Sequence, residues 1–394
     1  MTSVKLLHSD SPVSITLRQD GSNHLLTDYI AERCPSLTGP EAVYSPTPYL
    51  FNGHLQTGYA SYYNGSSSAH EVTYDRELLD LPDGGQIALD WTTGEAKKDT
   101  PTLVLLHGLT GGSHESYIRS VLEIIIQPPF RYRGVVINNR GCANSDITTP
   151  QLYNGAYTED VRVALKHIQR TVAPGTPLIG IGFSLGSNIL VKYLGEEGDK
   201  TPLCGAISVA NPFDFERSSL IIDGTYWNRK VYSATLANNL KKAFGRHLDT
   251  LKESGKIDVD QILAAGTLRE FDDACTRKLR DYDSVDAYYR DASSHRYIAS
   301  VRVPLLCMNA LDDPIAPAEC IPRDEIKKNP YVILATTDYG GHLGWFEHIQ
   351  YPTRWVSKPL AEFIVALFEA NDIRESPQHI DPAEVDRSVE KIQA

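Results

Sequence analysis

From residue 86 onward the chain alternates short apolar runs with stretches whose apolar positions recur every three or four residues. The runs are QIALDW (86–91), TLVLLHG (102–108), GVVINNRG (134–141), LIGIGFS (178–184), GAISVANP (205–212), PLLCMNALDD (304–313) and YVILATT (331–337). Several are continuous rather than alternating, the pattern of parallel strands covered on both faces. Helical stretches fall between them at 114–126, 157–170 (YTEDVRVALKHIQR), 186–195 and 355–370. This alternation predicts an α/β fold, a mostly parallel sheet with helices on both faces.

One interval breaks the rhythm. Between Pro212 and Pro304 the chain is mainly helical, with YSATLANNLKKAF and DVDQILAAGTLREFDDA, and is too long for an ordinary connection. It reads as a helical cap, 213–303, inserted after the sixth strand and lying over the sheet's C-terminal edge, where open α/β sheets bind ligands. Residues 66–212 and 304–372 then form the core. Residues 1–65, punctuated by Pro and Gly, read as an extended lead-in that wraps it, with SSS (66–68) a brief linker. Residues 373–394 read as a loose polar tail.

Composition narrows the function classes. With 41% hydrophobic and 22% charged residues, 394 residues can bury a large core. Fifty acidic against 38 basic residues leave a net charge of −12, which argues against a nucleic-acid groove or a polybasic membrane patch. Cys34, Cys142, Cys204, Cys275, Cys307 and Cys320 are scattered with no C-x-x-C pair, so they are expected to be reduced core thiols, with no metal and no cofactor. The opening MTSVKLLHSDSPVSITLRQD has no signal-peptide core, and no apolar run approaches the roughly 18 residues of a membrane span. The expectation is a soluble cytoplasmic protein, with peripheral contact to a lipid surface left open.

Candidate chemistry centres on Gly182-Phe183-Ser184-Leu185-Gly186, a G-x-S-x-G at the junction of an apolar run and the amphipathic SNILVKYLGEEG. Such an elbow holds its serine in a strained turn, and glycines two residues away let strand and helix approach. A serine alcohol is a weak nucleophile that needs a base, and the base needs an orienting acid. His342, in the glycine-flanked DYGGHLGW, is the candidate base. Asp312 and Asp313 of NALDDPIAP compete as the acid. The D-x-I-x-P spacing favours Asp313, with the other aspartate holding the turn. Two N–H donors must meet the oxyanion: Leu185, after the serine, and Leu109 in HGLTGGS (107–113).

Other signals are weaker. GLTGG lacks the Lys-Ser/Thr of a phosphate loop. HLLTD (24–28) matches an H-x-x-x-D of coenzyme-A-using acyltransferases without that class's other elements and reads as chance. Arg140 of NNRG reads as a loop pin, with a substrate-carboxylate or phosphate anchor as the alternative.

With these residues placed, the chain resembles an α/β-hydrolase over roughly 34–370. It is most similar to the branch of the fungal medium-chain fatty-acid ethyl ester synthase/esterases and the related membrane-anchored animal lipases. FNGHLQT (51–57), HGLTGGS, GFSLGSN (182–188), YYRDAS (288–293), NALDDP (309–314) and YGGHLG (339–344) carry the resemblance. It implies Ser184, Asp313 and His342 as nucleophile, acid and base, acyl-CoA or carrier-protein thioesters as small-molecule donors, and an alcohol, external or internal, as acceptor. A serine acyltransferase with esterase side activity is the first expectation, a monoacylglycerol lipase or carboxylesterase the second, and a non-catalytic ligand-binding protein the third. The animal relatives' N-terminal membrane anchor is not expected here. His54 reads as a tie between lead-in and domain. Asp281 and Ala287 depart from the family pattern beside the cap, where substrate preference is set.

Overall fold

The apolar runs form the middle of one nine-stranded sheet in the computed structural model, which describes residues 1–62, 72–371 and 381–393. In chain order its strands are β1 (Lys5–His8), β2 (Tyr74–Asp80), β3 (Gln86–Thr92), β4 (Thr102–Leu106), β5 (Arg133–Asn138), β6 (Leu178–Phe183), β7 (Gly205–Val209), β8 (Leu305–Ala310) and β9 (Val332–Thr337). Across the sheet they lie β1-β9-β8-β7-β6-β4-β5-β3-β2. Every neighbouring pair from β9 to β5 is parallel. The edges are antiparallel, β3 and β2 on one side and β1 on the other.

Strands β4 and β6 to β9 are buried along their whole length, so both faces need cover. Period-two alternation divides the cover. On β4, Leu103 and Leu105 join the core with the helices Ser116–Ile125 and Ser357–Asn371. Val104 and Leu106 join the opposite core, with Glu159–Thr171 and Leu185–Glu197. Each such side chain contributes roughly 1.5–3 kcal/mol by leaving water.

Three expectations need amending. The lead-in does more than wrap: Lys5–His8 adds an edge strand to β9, with Leu6 opposite Ala335. The residues expected as a loose tail contain the helix Pro382–Gln393, whose Val385 and Val389 are buried in the main core. The helical interval follows β7 rather than a sixth strand, because β1 and β2, neither of them among the apolar runs, both precede the five runs before it. The SSS linker, the 65/66 boundary and residues 372–380 lie outside the described residues.

The interval itself is helical. Tyr226 to Arg246 is one run with a π-turn at Arg229–Ser233, and a second π-turn spans Asp272–Thr276. Leu240, Phe244, Leu251, Ile262 and Phe271 give it a core of its own. Its returning end is stitched to the sheet's helices rather than lying over them. Asn188 Nδ2 donates to the Ala292 carbonyl at 2.8 Å, Asn188 Oδ1 accepts the Ser294 N–H at 3.1 Å, and Lys192 meets Asp291 at 2.7 Å. All six cysteines are free thiols, five of them buried. No helix among the described residues is long and apolar enough to cross a membrane.

Candidate active site

β6 ends at Phe183 and the helix Leu185–Glu197 begins two residues later, so Ser184 must make the whole turn. It does so at φ 52°, ψ −118°, a conformation costing on the order of 1–3 kcal/mol for a residue with a Cβ. Close packing holds it there. A Cβ on Gly182 would stand 2.5 Å from the Gly186 carbonyl oxygen, and one on Gly186 would stand 2.4 Å from that of Leu106. Ser184 N–H donates to the Val209 carbonyl at 2.9 Å, tying the turn to β7.

The serine does not stand alone. His342 Nε2 lies 2.7 Å from Ser184 Oγ, and His342 Nδ1 lies 2.8 Å from Asp313 Oδ2. With Nδ1–H donating to the carboxylate, Nε2 is left to accept the serine's proton. The other Asp313 oxygen, Oδ1, accepts the Ile315 and Ala316 N–H groups, both at 2.8 Å. Both residues are nearly enclosed, His342 at 9% and Asp313 at 4% exposure, which strengthens these bonds relative to water. Asp312 bonds the backbone beside the imidazole instead, accepting the Gly341 N–H at 2.9 Å. Burial pushes its carboxyl up to about 6, and the neighbouring Asp313 charge adds to the rise.

NGHLQT, for which propensity offers no purpose, is the bed of the histidine loop. Thr57 Oγ1 accepts the His342 N–H at 2.9 Å and donates to the Gly53 carbonyl at 2.6 Å. Gln56 Oε1 accepts the Phe346 N–H at 2.8 Å, and its Nε2 donates to the Leu50 carbonyl at 2.7 Å. A Cβ on Gly53 would stand 1.9 Å from the Asp312 carbonyl oxygen, so only glycine fits where the lead-in crosses the acid turn. His54 points the other way, its Nδ1 2.6 Å from the Tyr232 hydroxyl, joining the lead-in to the cap.

The HGLTGGS loop abuts the serine; a Cβ on Gly108 would stand 3.3 Å from Ser184 Cβ. Two half-buried tyrosines that sequence reasoning missed pin it on either side of Leu109. The Tyr117 hydroxyl accepts the Gly108 N–H at 3.0 Å, and the Tyr153 hydroxyl accepts that of Thr110. Neither the Leu109 nor the Leu185 N–H donates to a described residue, and Leu185 opens a helix, where N–H groups lack partners. His107 braces the same loop. Its Nδ1–H donates to the Gly108 carbonyl at 2.7 Å while Nε2 accepts the Asn139 N–H at 3.1 Å, and burial lowers its pKa to about 4, keeping the ring neutral.

Ser184, Leu185 and Leu109 open onto a pocket holding about 760 Å³ of empty space, mouth included, between sheet edge and cap. Asp281 and Ala287 do not line it. Nor does Arg140, which bonds Asp160 through Nε and Nη2, both at 2.7 Å, and Asp83 through Nη1 at 2.7 Å. The loop-pin reading fits these partners. Arg140→Met leaves Asp160, 4% exposed, as a buried carboxylate without its partner; a loss of about 3 kcal/mol is expected, read as a lower urea midpoint. His24 of HLLTD sits in a short hairpin, its Nε2 3.0 Å from the Ser22 hydroxyl.

Comparison with known proteins agrees with this architecture. A sequence profile of the alpha/beta hydrolase fold matches residues 101–348. A monoacylglycerol lipase of Saccharomyces cerevisiae is 35% identical over 357 residues, covering 80% of this chain and 78% of that protein. The mouse phospholipase ABHD3 is 34% identical over 349 residues, covering 86% and 82%. Medium-chain fatty acid ethyl ester synthase/esterase 2 of S. cerevisiae is 30% identical over 396 residues, covering 83% and 86%. Sheet order, elbow and these similarities together establish that the chain belongs to the alpha/beta hydrolase family.

Proposed function

We propose that this chain is a serine-dependent acyltransferase and esterase. Ser184 Oγ attacks the carbonyl carbon of a thioester or ester, and its proton passes to His342 Nε2. The Leu109 and Leu185 N–H groups receive the oxyanion, and Asp313 stabilises the imidazolium. The carbonyl–sulfur or carbonyl–oxygen bond then breaks, and the leaving thiolate or alkoxide takes the proton from Nε2. An alcohol or water attacks the acyl-serine, gives its proton to Nε2, and the proton returns to Ser184 Oγ as the new ester or acid departs. The observation that carries this reading is the unbroken hydrogen-bond chain from Ser184 through His342 to Asp313.

The donor is an acyl thioester, on coenzyme A or a carrier protein, and the acceptor an alcohol, external or on the same acyl chain. The ethyl ester synthase/esterase relative supports transfer. A second reading, hydrolysis of a monoacylglycerol, draws support from the yeast lipase relative. Partition decides between them, since an alcohol must outcompete water at ~55 M by being positioned. Incubation with one acyl thioester and a saturating alcohol is expected to yield mainly ester; mainly free acid at saturation overturns transfer and leaves the hydrolase. A fluorophosphonate is expected to label wild type and not Ser184→Ala.

A further inference from the structure

We propose that the pocket opening on Ser184 selects substrates bearing hydroxyl groups, read by Asp272, Asn154 and Ser219; this rests on the acyl-serine reading and names the class of substrate that site takes. Most of the lining suits an alkyl chain, with Ile222, Leu236, Leu240 and Leu268 among it. A pocket for unadorned alkyl groups has no use for a carboxylate, which is costly to hold away from water. Yet Asp272 lines it at 6% exposure, on the π-turn Asp272–Thr276, a kind of helix irregularity frequent at functional sites.

The chemistry of these groups points to one ligand function. Asp272 Oδ1 accepts the Thr276 hydroxyl at 2.6 Å and Oδ2 the Tyr289 hydroxyl at 2.9 Å. Each carboxylate oxygen keeps a second lone pair and can accept a further donor. Asn154, 4% exposed, spends Oδ1 on the Ala156 N–H at 3.0 Å, which orients the amide and leaves Nδ2 buried without a partner among the described residues. Nδ2 needs an acceptor. Ser219 Oγ, in the same pocket, is also buried and unpartnered among the described residues. A carbonyl would satisfy Asn154 and not Asp272. An ammonium would satisfy Asp272, leave Asn154 wanting and carry its charge among leucines. Of these three, a hydroxyl is the one that both donates and accepts, as this set of side chains asks.

Hydroxyls reach such a pocket from two sources, the alcohol portion of an ester (a glyceryl group) or the acyl chain itself. The test has an arm for each, run at pH 8. One compares kcat/KM for 1-octanoylglycerol with propyl octanoate, the other for ethyl esters of hydroxyoctanoic acids with ethyl octanoate. In at least one arm the hydroxylated ester is expected to lead by about tenfold or more, with Asp272→Asn and Ser219→Ala each cutting that ratio at least about threefold. Asp272→Asn is isosteric, and Ser219→Ala supplies the answer if it fails to fold. Ratios near one in both arms, or ratios that both variants preserve, overturn the subsite. Fluorophosphonate labelling separates the two levels: unlabelled wild type defeats the acyl-serine reading, whereas labelled wild type without a hydroxyl preference defeats only the selection.

Discussion

Ser184→Ala is expected to lower kcat/KM toward 4-nitrophenyl octanoate by about 10⁴- to 10⁶-fold, the scale on which serine hydrolases lose rate with their nucleophile. The loss is large because no neighbour can substitute. Ser187 Oγ is turned away and donates to the Ser184 carbonyl at 2.5 Å, and the pocket's other serines, Ser218 and Ser219, lie on the cap helix Phe215–Asp223. What should survive is rate from the proposed Leu109 and Leu185 donors and from binding alone. The same position carries a stability prediction of opposite sign. At φ 52° the alanine variant keeps the Cβ and therefore the strain, whereas Ser184→Gly relieves it. The glycine variant is expected to be more stable than the alanine variant by about 1 kcal/mol, read as a higher thermal midpoint, with both equally inactive. An alanine variant that hydrolyses within about tenfold of wild type would show that the chemistry lies elsewhere.

How much of this was legible in the chain depends on how local each interaction is. Strands β4 and β6 to β9 read directly, because burial on both faces leaves continuous apolar runs. β2 did not: YDRELLD lies at an edge where no residue is fully buried and charged residues fall on both faces. β1 is four residues long and gains its place only from β9, more than three hundred residues away. The C-terminal helix escaped because Val385 and Val389, one turn apart, are a narrow buried stripe in a polar segment. At the site, the elbow was legible since glycine, serine and glycine act within five residues. The bed of the histidine loop was not, since the Thr57 bond to His342 spans 285 positions. Sequence alone left Arg140 with two readings; the structure supplies its partners Asp83 and Asp160, 57 and 20 residues away.

The adjacent aspartates separate the acid from its neighbour by experiment. Asp313→Asn is expected to lower kcat by about 10³- to 10⁴-fold, for a reason fixed by the bonds around it. Oδ1 accepts two N–H groups, from Ile315 and Ala316, so an asparagine there must put its carbonyl on that side. Its NH₂ then faces His342 Nδ1 and can only donate. The imidazole is forced to carry its proton on Nε2, where it can no longer accept one from Ser184. Asp312→Asn meets no such conflict, because its carbonyl can keep accepting the Gly341 N–H, and kcat is expected to stay within about tenfold of wild type. The pH dependence of stability should separate them too. Asp312 titrates at about 6 in the folded chain against 3.8 ordinarily, burial being the main cause. A raised carboxyl means the folded state holds the extra proton, so this group's contribution is fullest below pH 3.8 and is lost as pH rises through 6. Asp312→Asn deletes that fall, and its stability relative to wild type should climb between those limits and level off above them. A flat difference in urea midpoint across that window would mean Asp312 is no more protonated folded than unfolded, and a collapse of kcat in Asp312→Asn would move the acid role to the first aspartate.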